Sequence, residues 1–564
     1  MRTAVIAVAA ACVLIATAGA GAGQLPDGDA TDGKTFYWRG LAADGEPVPA
    51  IVEGDVESTS DNFTCVGCHR PSGFGSSEGG TYVPPITGEI LFSDRLLDRE
   101  RRNRRFRELF KQEHGASFDA RIRMPNMRPA YNEETLARAI REGVDAAGRK
   151  LGGAMPRYKL SDRDVANLVA YLKDLSAEKA PGVGEDTMHL ATVIGPNVDE
   201  ARAQAMLTVM REFVDWYNKD IQHKMDLPGF STYYRSEFAD AFRVWDLHVW
   251  RLEGDRSSWR EQLEAKYAEQ PVFAVVSGLV DGPWVPVDSF CDANKIPCVF
   301  PNTVLPDTDN ANYGYSVHFS RGLELEGEAL ATYLGREDTL PGRVHQIHAA
   351  SAEGRVPAEA FAERLGQAVP EAELTTAQAD TAAAIKERIA EAAEDAGEVL
   401  AIWPGDHARA AVEALNVHAP SAGTIALPST ALEVAKAHLA EPLRAKVRLT
   451  HPYEKPTGYH PRTYRLRARL NSRGVDITHE RLQLQTYYAM TQMEFSVGHL
   501  VTDFYRDYLM EYIESEAEAE LNPGTHPELS LGAGVRFASS GAYIVRVDPD
   551  AKDGYRAVSD WVTP

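Results

Sequence analysis

Cys65-Val66-Gly67-Cys68-His69 constrains this 564-residue chain more than any other stretch. C-x-x-C-H is the spacing of covalent c-type haem attachment. Two thiols three positions apart reach the two vinyl groups of one porphyrin, and the next side chain sets its imidazole on the iron, making His69 the expected proximal ligand. A zinc site would want four thiolate or imidazole ligands, and no second C-x-x-C or clustered His pair stands nearby. A thioredoxin-like dithiol would sit between a strand and a helix, whereas Ser58–Thr64 is polar. One covalent haem c is the expected cofactor.

The N-terminal residues agree with that chemistry. Met1–Ala22 carries one cation, Arg2, then the apolar run Ala4–Thr17, then small residues that fit an A-x-A cleavage site. Residues 1–22 therefore read as a secretory signal peptide. The apolar run is short of the roughly 20 residues a spanning helix needs, and apolar residues continue past Cys12, which disfavours lipoprotein processing there. The expectation is a periplasmic protein with no membrane span after cleavage, in a compartment that permits disulfides.

Composition divides the rest. With 44% hydrophobic residues the chain can bury several cores, and 59 Lys+Arg against 82 Asp+Glu give a net charge of −23. Such an acid excess excludes the basic face of a nucleic-acid binder. Residues 23–180 hold 23 basic and 25 acidic side chains, net −2; residues 181–564 hold 35 and 57, net −22. The Pro/Gly-rich stretch between them sets the expected domains at 23–178 and 188–564, with 179–187 as linker.

The first domain reads as helix and loop. Glu133–Glu142 and Ser161–Leu175 show apolar residues at helical spacing, Ser161 being the N-cap of the second. Candidates for the sixth iron ligand are Met124, Met127 and Met155, with His114 behind them. Met155 lies in Gly152-Gly153-Ala154-Met155-Pro156, a loop just before the last helix. Met124 and Met127 read as core fillers, and His114 as a surface residue.

These residues carry a resemblance. The segment 23–180 resembles a class I mono-haem cytochrome c in Cys65-x-x-Cys68-His69, in Pro84-Pro85-Ile86-Thr87-Gly88, in Met155-Pro156-Arg157-Tyr158 followed by Leu160-Ser161-Asp162, and in Val169-Ala170-Tyr171-Leu172. The resemblance implies an all-α fold around haem, one-electron transfer, and axial ligation by His69 and Met155. It departs in the 85 residues between those ligands. The insertion 92–128 contains Arg95, Arg99, Arg101, Arg102, Arg104, Arg105 and Arg107. They form either a solvated helix face or a cationic docking surface for an acidic partner.

The second domain alternates. Leu190–Ile194, Val272–Val276, Val344–Ile347, Val399–Trp403 and Ile425–Leu427 are each followed by an amphipathic stretch, the pattern of βαβ units. Cys291 and Cys298, with six residues between them, are positioned for a local disulfide in an oxidising compartment. The order of elements resembles the type I periplasmic binding proteins of the branched-chain amino acid and amide class, with Val272–Gly278 and Ile296–Asn302 as cleft-opening strands and Leu531–Val547 as the closing segment. That resemblance implies two α/β lobes closing on a small ligand, with Ser277, Asp281, Trp284, Asn302 and Thr303 at the ligand positions.

The expected function is a periplasmic c-type cytochrome relaying single electrons, with an appended domain that binds a small molecule or a redox partner, a periplasmic dehydrogenase being the foremost candidate. The alternative is a solute-binding or sensor protein in which haem is the sensing element. A haem enzyme such as a peroxidase would need an open axial position, and no catalytic motif stands in the second domain.

Overall fold

The computed structural model describes residues 25–564 apart from 79–80, 94–127, 227–242, 310–312, 337–339, 395–396, 456–460, 501–502 and 517–523. The signal segment 1–22, Met124, Met127, His114 and the arginines 95–107 lie outside the described residues. The chain separates into two units, Met1–Glu178 and Lys179–Pro564.

In the first unit, Asp29 caps the helix Ala30–Arg39 by accepting from the backbone of Thr31 and Asp32, and Gly40 closes it in the left-handed region. Its face Gly33, Phe36 and Tyr37 is buried against the helix Asp162–Asp174, which Ser161 caps. Gly33 is obligatory for that approach: a Cβ there would lie 2.0 Å from the Asn167 carbonyl oxygen. The helix Glu133–Glu142 starts with a reciprocal Asn132/Thr135 capping box.

The unit is not all-α. Strands β1 (Pro49–Val52), β2 (Val56–Thr59), β3 (Ser76–Glu78), β4 (Thr81–Val83) and β5 (Arg157–Tyr158) form an antiparallel sheet of order β2-β1-β5 and the hairpin β3-β4. The β-branched Val48, Ile51 and Val52 favour extended backbone. Pro49 is tolerated as the first residue of its strand, where its carbonyl accepts from Lys159.

The second unit holds two mostly parallel sheets. The first takes β6 (Thr187–Ile194), β7 (Val244–Arg251), β8 (Ala274–Val276), β9 (Cys298–Val299) and β10 (Ser316–Ser320). The second takes β11 (Arg343–Ala349), β12 (Glu373–Ala379), β13 (Val399–Trp403), β14 (Thr424–Leu427) and β15 (Val447–His451). The chain then returns to the first with β16 (Phe537–Ser539) and ends on the second with β17 (Tyr543–Val547) and β18 (Tyr555–Ala557). The orders are β16-β10-β9-β8-β6-β7 and β12-β11-β13-β14-β15-β17-β18. Each lobe is thus built from two pieces of chain, and three segments pass between the lobes. The buried helix Glu480–Leu500 packs on the first sheet with Leu190, Met210 and Phe273.

Residues expected as a linker are tied down from Ala180 on. The Ala180 amide donates to the Phe504 carbonyl, and the Arg506 guanidinium gathers the carbonyls of Pro181, Val272, Phe273 and Asn294. No helix among the described residues is long and apolar enough to cross a membrane.

Candidate functional site

Cys65–His69 forms one helical turn, so the thiols and the imidazole emerge from consecutive positions of one rigid element. Cys65 is buried and Cys68 exposed, and neither is in a disulfide. His69 is 5% exposed, and its Nδ1 lies 3.0 Å from the Pro84 carbonyl oxygen. That contact puts the proton on Nδ1 and the lone pair on Nε2, the tautomer a metal needs. Burial pulls the imidazole down to about 4, against a smaller upward push from the Pro84 carbonyl, and pushes the Cys65 thiol up to about 12.

Pro84 is held in turn by its loop. The Ile86 amide donates to the Gly73 carbonyl, and a Cβ on Gly88 would strike the Lys173 carbonyl of the last helix at 2.4 Å. Tyr158 lies beside the thiols: its hydroxyl donates to the Phe63 carbonyl at 2.6 Å, and burial, with the neighbouring Cys65 and Cys68, raises its pKa. Met155, three residues earlier, is half-buried against the same apolar cluster as Cys65, Val66 and Leu136. Two thiols one turn apart, an imidazole with its lone pair free and a thioether in the same cluster fit haem c. Tyr37 was not legible as part of this site. Its hydroxyl donates to the Arg70 carbonyl at 2.6 Å, pinning the residue after His69, whose φ is positive.

The five expected ligand positions of the second unit separate. Ser277 and Asn302 meet: the Asn302 Nδ2 donates to Ser277 Oγ at 2.8 Å, and both touch Thr486 of the buried helix. Asn302 Oδ1 is buried with no hydrogen-bond partner among the described residues. Trp284 is not in the cleft. It is fully buried with Trp250, Val287 and Phe290, because Gly278 leaves room for its ring edge. Thr303 accepts from the Leu305 amide and shapes a turn.

Asp281 lies elsewhere, on a cavity of about 160 Å³ with Pro196, Asn197, Asp255, Arg256 and Trp259. This cavity stands beyond the carboxyl ends of β6 and β7, where ligands of parallel sheets bind. Arg256 donates to the Asp281 carbonyl at 2.6 Å, and Arg202 stands 3.7 Å from its carboxylate. Burial raises the Asp281 pKa; Arg202 opposes it, and Asp406, Glu353 and Asp199 add to it.

Cys291 and Cys298 are free and fully buried, and their side chains hydrogen-bond one another rather than forming the expected bridge. The end of the helix Val285–Ala293 and the start of β9 bring the sulfurs together as thiol partners.

Solved structures similar to the chain include a fatty acid ABC transporter substrate-binding protein from Thermomonospora curvata, with 14% identity over 69% of this chain and 95% of that one, at a TM-score of 0.49. A branched chain amino acid ABC transporter protein from Thermus thermophilus with bound valine shows 12% identity, 68% and 98% coverage and a TM-score of 0.48. A leucine binding protein from Thermotoga maritima shows 11% identity, 67% and 99% coverage and a TM-score of 0.48. No curated protein matches the chain in sequence. Residues 59–176 match the family model described as Cytochrome c, a span that takes in Cys65, Cys68, His69 and Met155.

Proposed function

We propose that the chain is a periplasmic electron-transfer protein whose first unit carries one haem c and whose second unit binds a small molecule or docks a redox partner, foremost a periplasmic dehydrogenase. The observation that carries this reading is His69, buried with its Nδ1 turned to the Pro84 carbonyl inside a C-x-x-C-H helical turn. Bound there, the haem supplies a one-electron couple. Cys65 and Cys68 would hold it covalently, and the His69 Nε2 and the Met155 thioether would bind its iron. The cluster of Val66, Leu136, Leu168 and Val169 keeps water from the site. With both donors bound to the iron, oxygen activation would be disfavoured and electron relay would remain.

An anaerobic redox titration followed by visible spectra tests this, on the haem-loaded chain and on Met155→Ala. Loss of the thioether should lower the potential, since methionine ligation raises it relative to nitrogen donors. An unchanged potential and spectrum would reject Met155 as the ligand. A C65A/C68A chain that still retained haem through denaturation would reject covalent attachment.

A further inference from the structure

We propose that the second unit carries a site for a first-row divalent cation of the zinc type, built by His189 of β6 and by Asp246 and His248 of β7. Parallel pairing puts His189 opposite Asp246 and Ala191 opposite His248. Strand alternation then sets all three side chains on one face of the sheet, the face that also carries Ala191, Val193 and Trp250.

Three ligand atoms converge there. His189 Nδ1 is 3.0 Å from His248 Nε2, and Asp246 Oδ2 is 3.3 Å from the first and 3.4 Å from the second. A cation about 2.1 Å from each ligand spans neighbours about 3.0 Å apart at a right angle and about 3.4 Å apart at a tetrahedral one. All three edges fall in that interval. Hydrogen bonds explain the triangle less well: each is linear and joins one pair, so a proton aimed along one edge leaves the other edges unserved. Lone pairs aimed at one central point serve all three edges together.

Two imidazoles and one carboxylate select borderline first-row ions such as Zn²⁺ over Mg²⁺ or Ca²⁺, which want oxygen-rich shells. The side chains of His189, Asp246 and His248 are 23%, 54% and 27% exposed, so an ion can enter from solvent and keep water or a further ligand in its remaining positions. The triad sits on the first five residues of its strands, at the end of the sheet away from the cavity at Asp281. It is therefore a separate site and does not depend on the ligand assigned to that cavity.

The test uses the full haem-loaded chain, dialysed against chelator and titrated calorimetrically with Zn²⁺ alone. The expected result is one zinc per chain, weakened by more than about 100-fold in His248→Ala and in Asp246→Asn, beyond the 10–100-fold that outer-shell changes cost. Both variants should keep the haem spectrum and the zinc-free melting temperature. Zinc affinity unchanged in both, or no saturable binding by the parent chain, would overturn the site. X-ray absorption at the zinc edge of the parent chain decides without any variant: two imidazoles with light oxygen neighbours support the triad, and sulfur neighbours refute it.

Discussion

Burial does two opposite things to the cysteine and histidine side chains of this chain, and both follow from the cost of charge in an apolar setting. It holds His69 neutral down to about 4, which keeps a lone pair available for metal at any physiological pH. It also raises the thiols of Cys65 and Cys291, disfavouring the thiolate needed for exchange. Haem attachment would relieve Cys65 of that cost, whereas Cys291 keeps its proton beside Cys298, with Asp288 and Asp292 adding to the upward shift. We therefore expect Cys291 and Cys298 to be inert to a water-soluble thiol reagent in the native haem-loaded chain. In denaturant without reductant they should release two titratable thiols. A count of zero in denaturant would show that the pair is bridged in the native protein.

Among the elements, the crossing of the helices Ala30–Arg39 and Asp162–Asp174 carries the first unit, and Gly33 sets how closely they approach. An alanine at Gly33 gains about 1 kcal/mol of helix propensity but drives a Cβ to 2.0 Å from the Asn167 carbonyl oxygen and 2.8 Å from the Tyr171 Cβ. The first of these obstacles is backbone, so the helices must separate. Gly33→Ala should cost about 1–3 kcal/mol, read as a lower urea midpoint of the haem spectrum. Gly152→Ala, whose Cβ would meet nothing within 4 Å, should leave the midpoint unchanged. Equal midpoints for Gly33→Ala and the parent would show that the crossing is looser than drawn.

The same elements mark what could be read from the chain alone. Glu133–Glu142 was legible from its periodicity and the Ser161-capped helix from cap and periodicity together, as were β13 and the helix Leu323–Leu334 from their apolar patterns. Helix Ala30–Arg39 escaped because its buried face is only Gly33, Phe36 and Tyr37. Strand β7 escaped although it alternates: Trp245, Leu247 and Val249 on one face, Asp246 and His248 on the other. Polar residues on its second face mask the apolar run, and those residues build the cation triad. Cys65, Cys68 and His69 stood out because C-x-x-C-H is itself the spacing of haem attachment, and the structure puts them on one helical turn. Trp284 misled because a large aromatic after a strand reads the same whether it faces a cleft or the core.

At the scale of the whole second unit, stability should depend on pH through two histidines buried between the sheets. His526 stacks on Phe319 of β10 with ring centroids 5.2 Å apart, and His451 ends β15 against Tyr453 and Tyr555. Burial, aided by the charge of Arg481, lowers His526 to about 3 and His451 to about 4. Both folded values lie below the unfolded value near 6.5. As pH falls, the unfolded chain binds protons first, so this stability is complete above about 6.5. It is lost as pH falls towards 4 for His451 and towards 3 for His526. The ceiling is on the order of 3–5 kcal/mol per histidine. Buried Glu326 runs the other way: burial raises its pKa despite hydrogen bonds from Ser429 and Thr450, so the folded state binds its proton first and gains stability as pH falls. The parent slope mixes both signs, and a variant separates them. His526→Phe keeps an aromatic ring on Phe319 and has no proton to bind. Its urea midpoint should fall less between pH 7 and pH 5 than that of the parent, and parallel pH curves for the two chains would remove His526 from the account of acid lability.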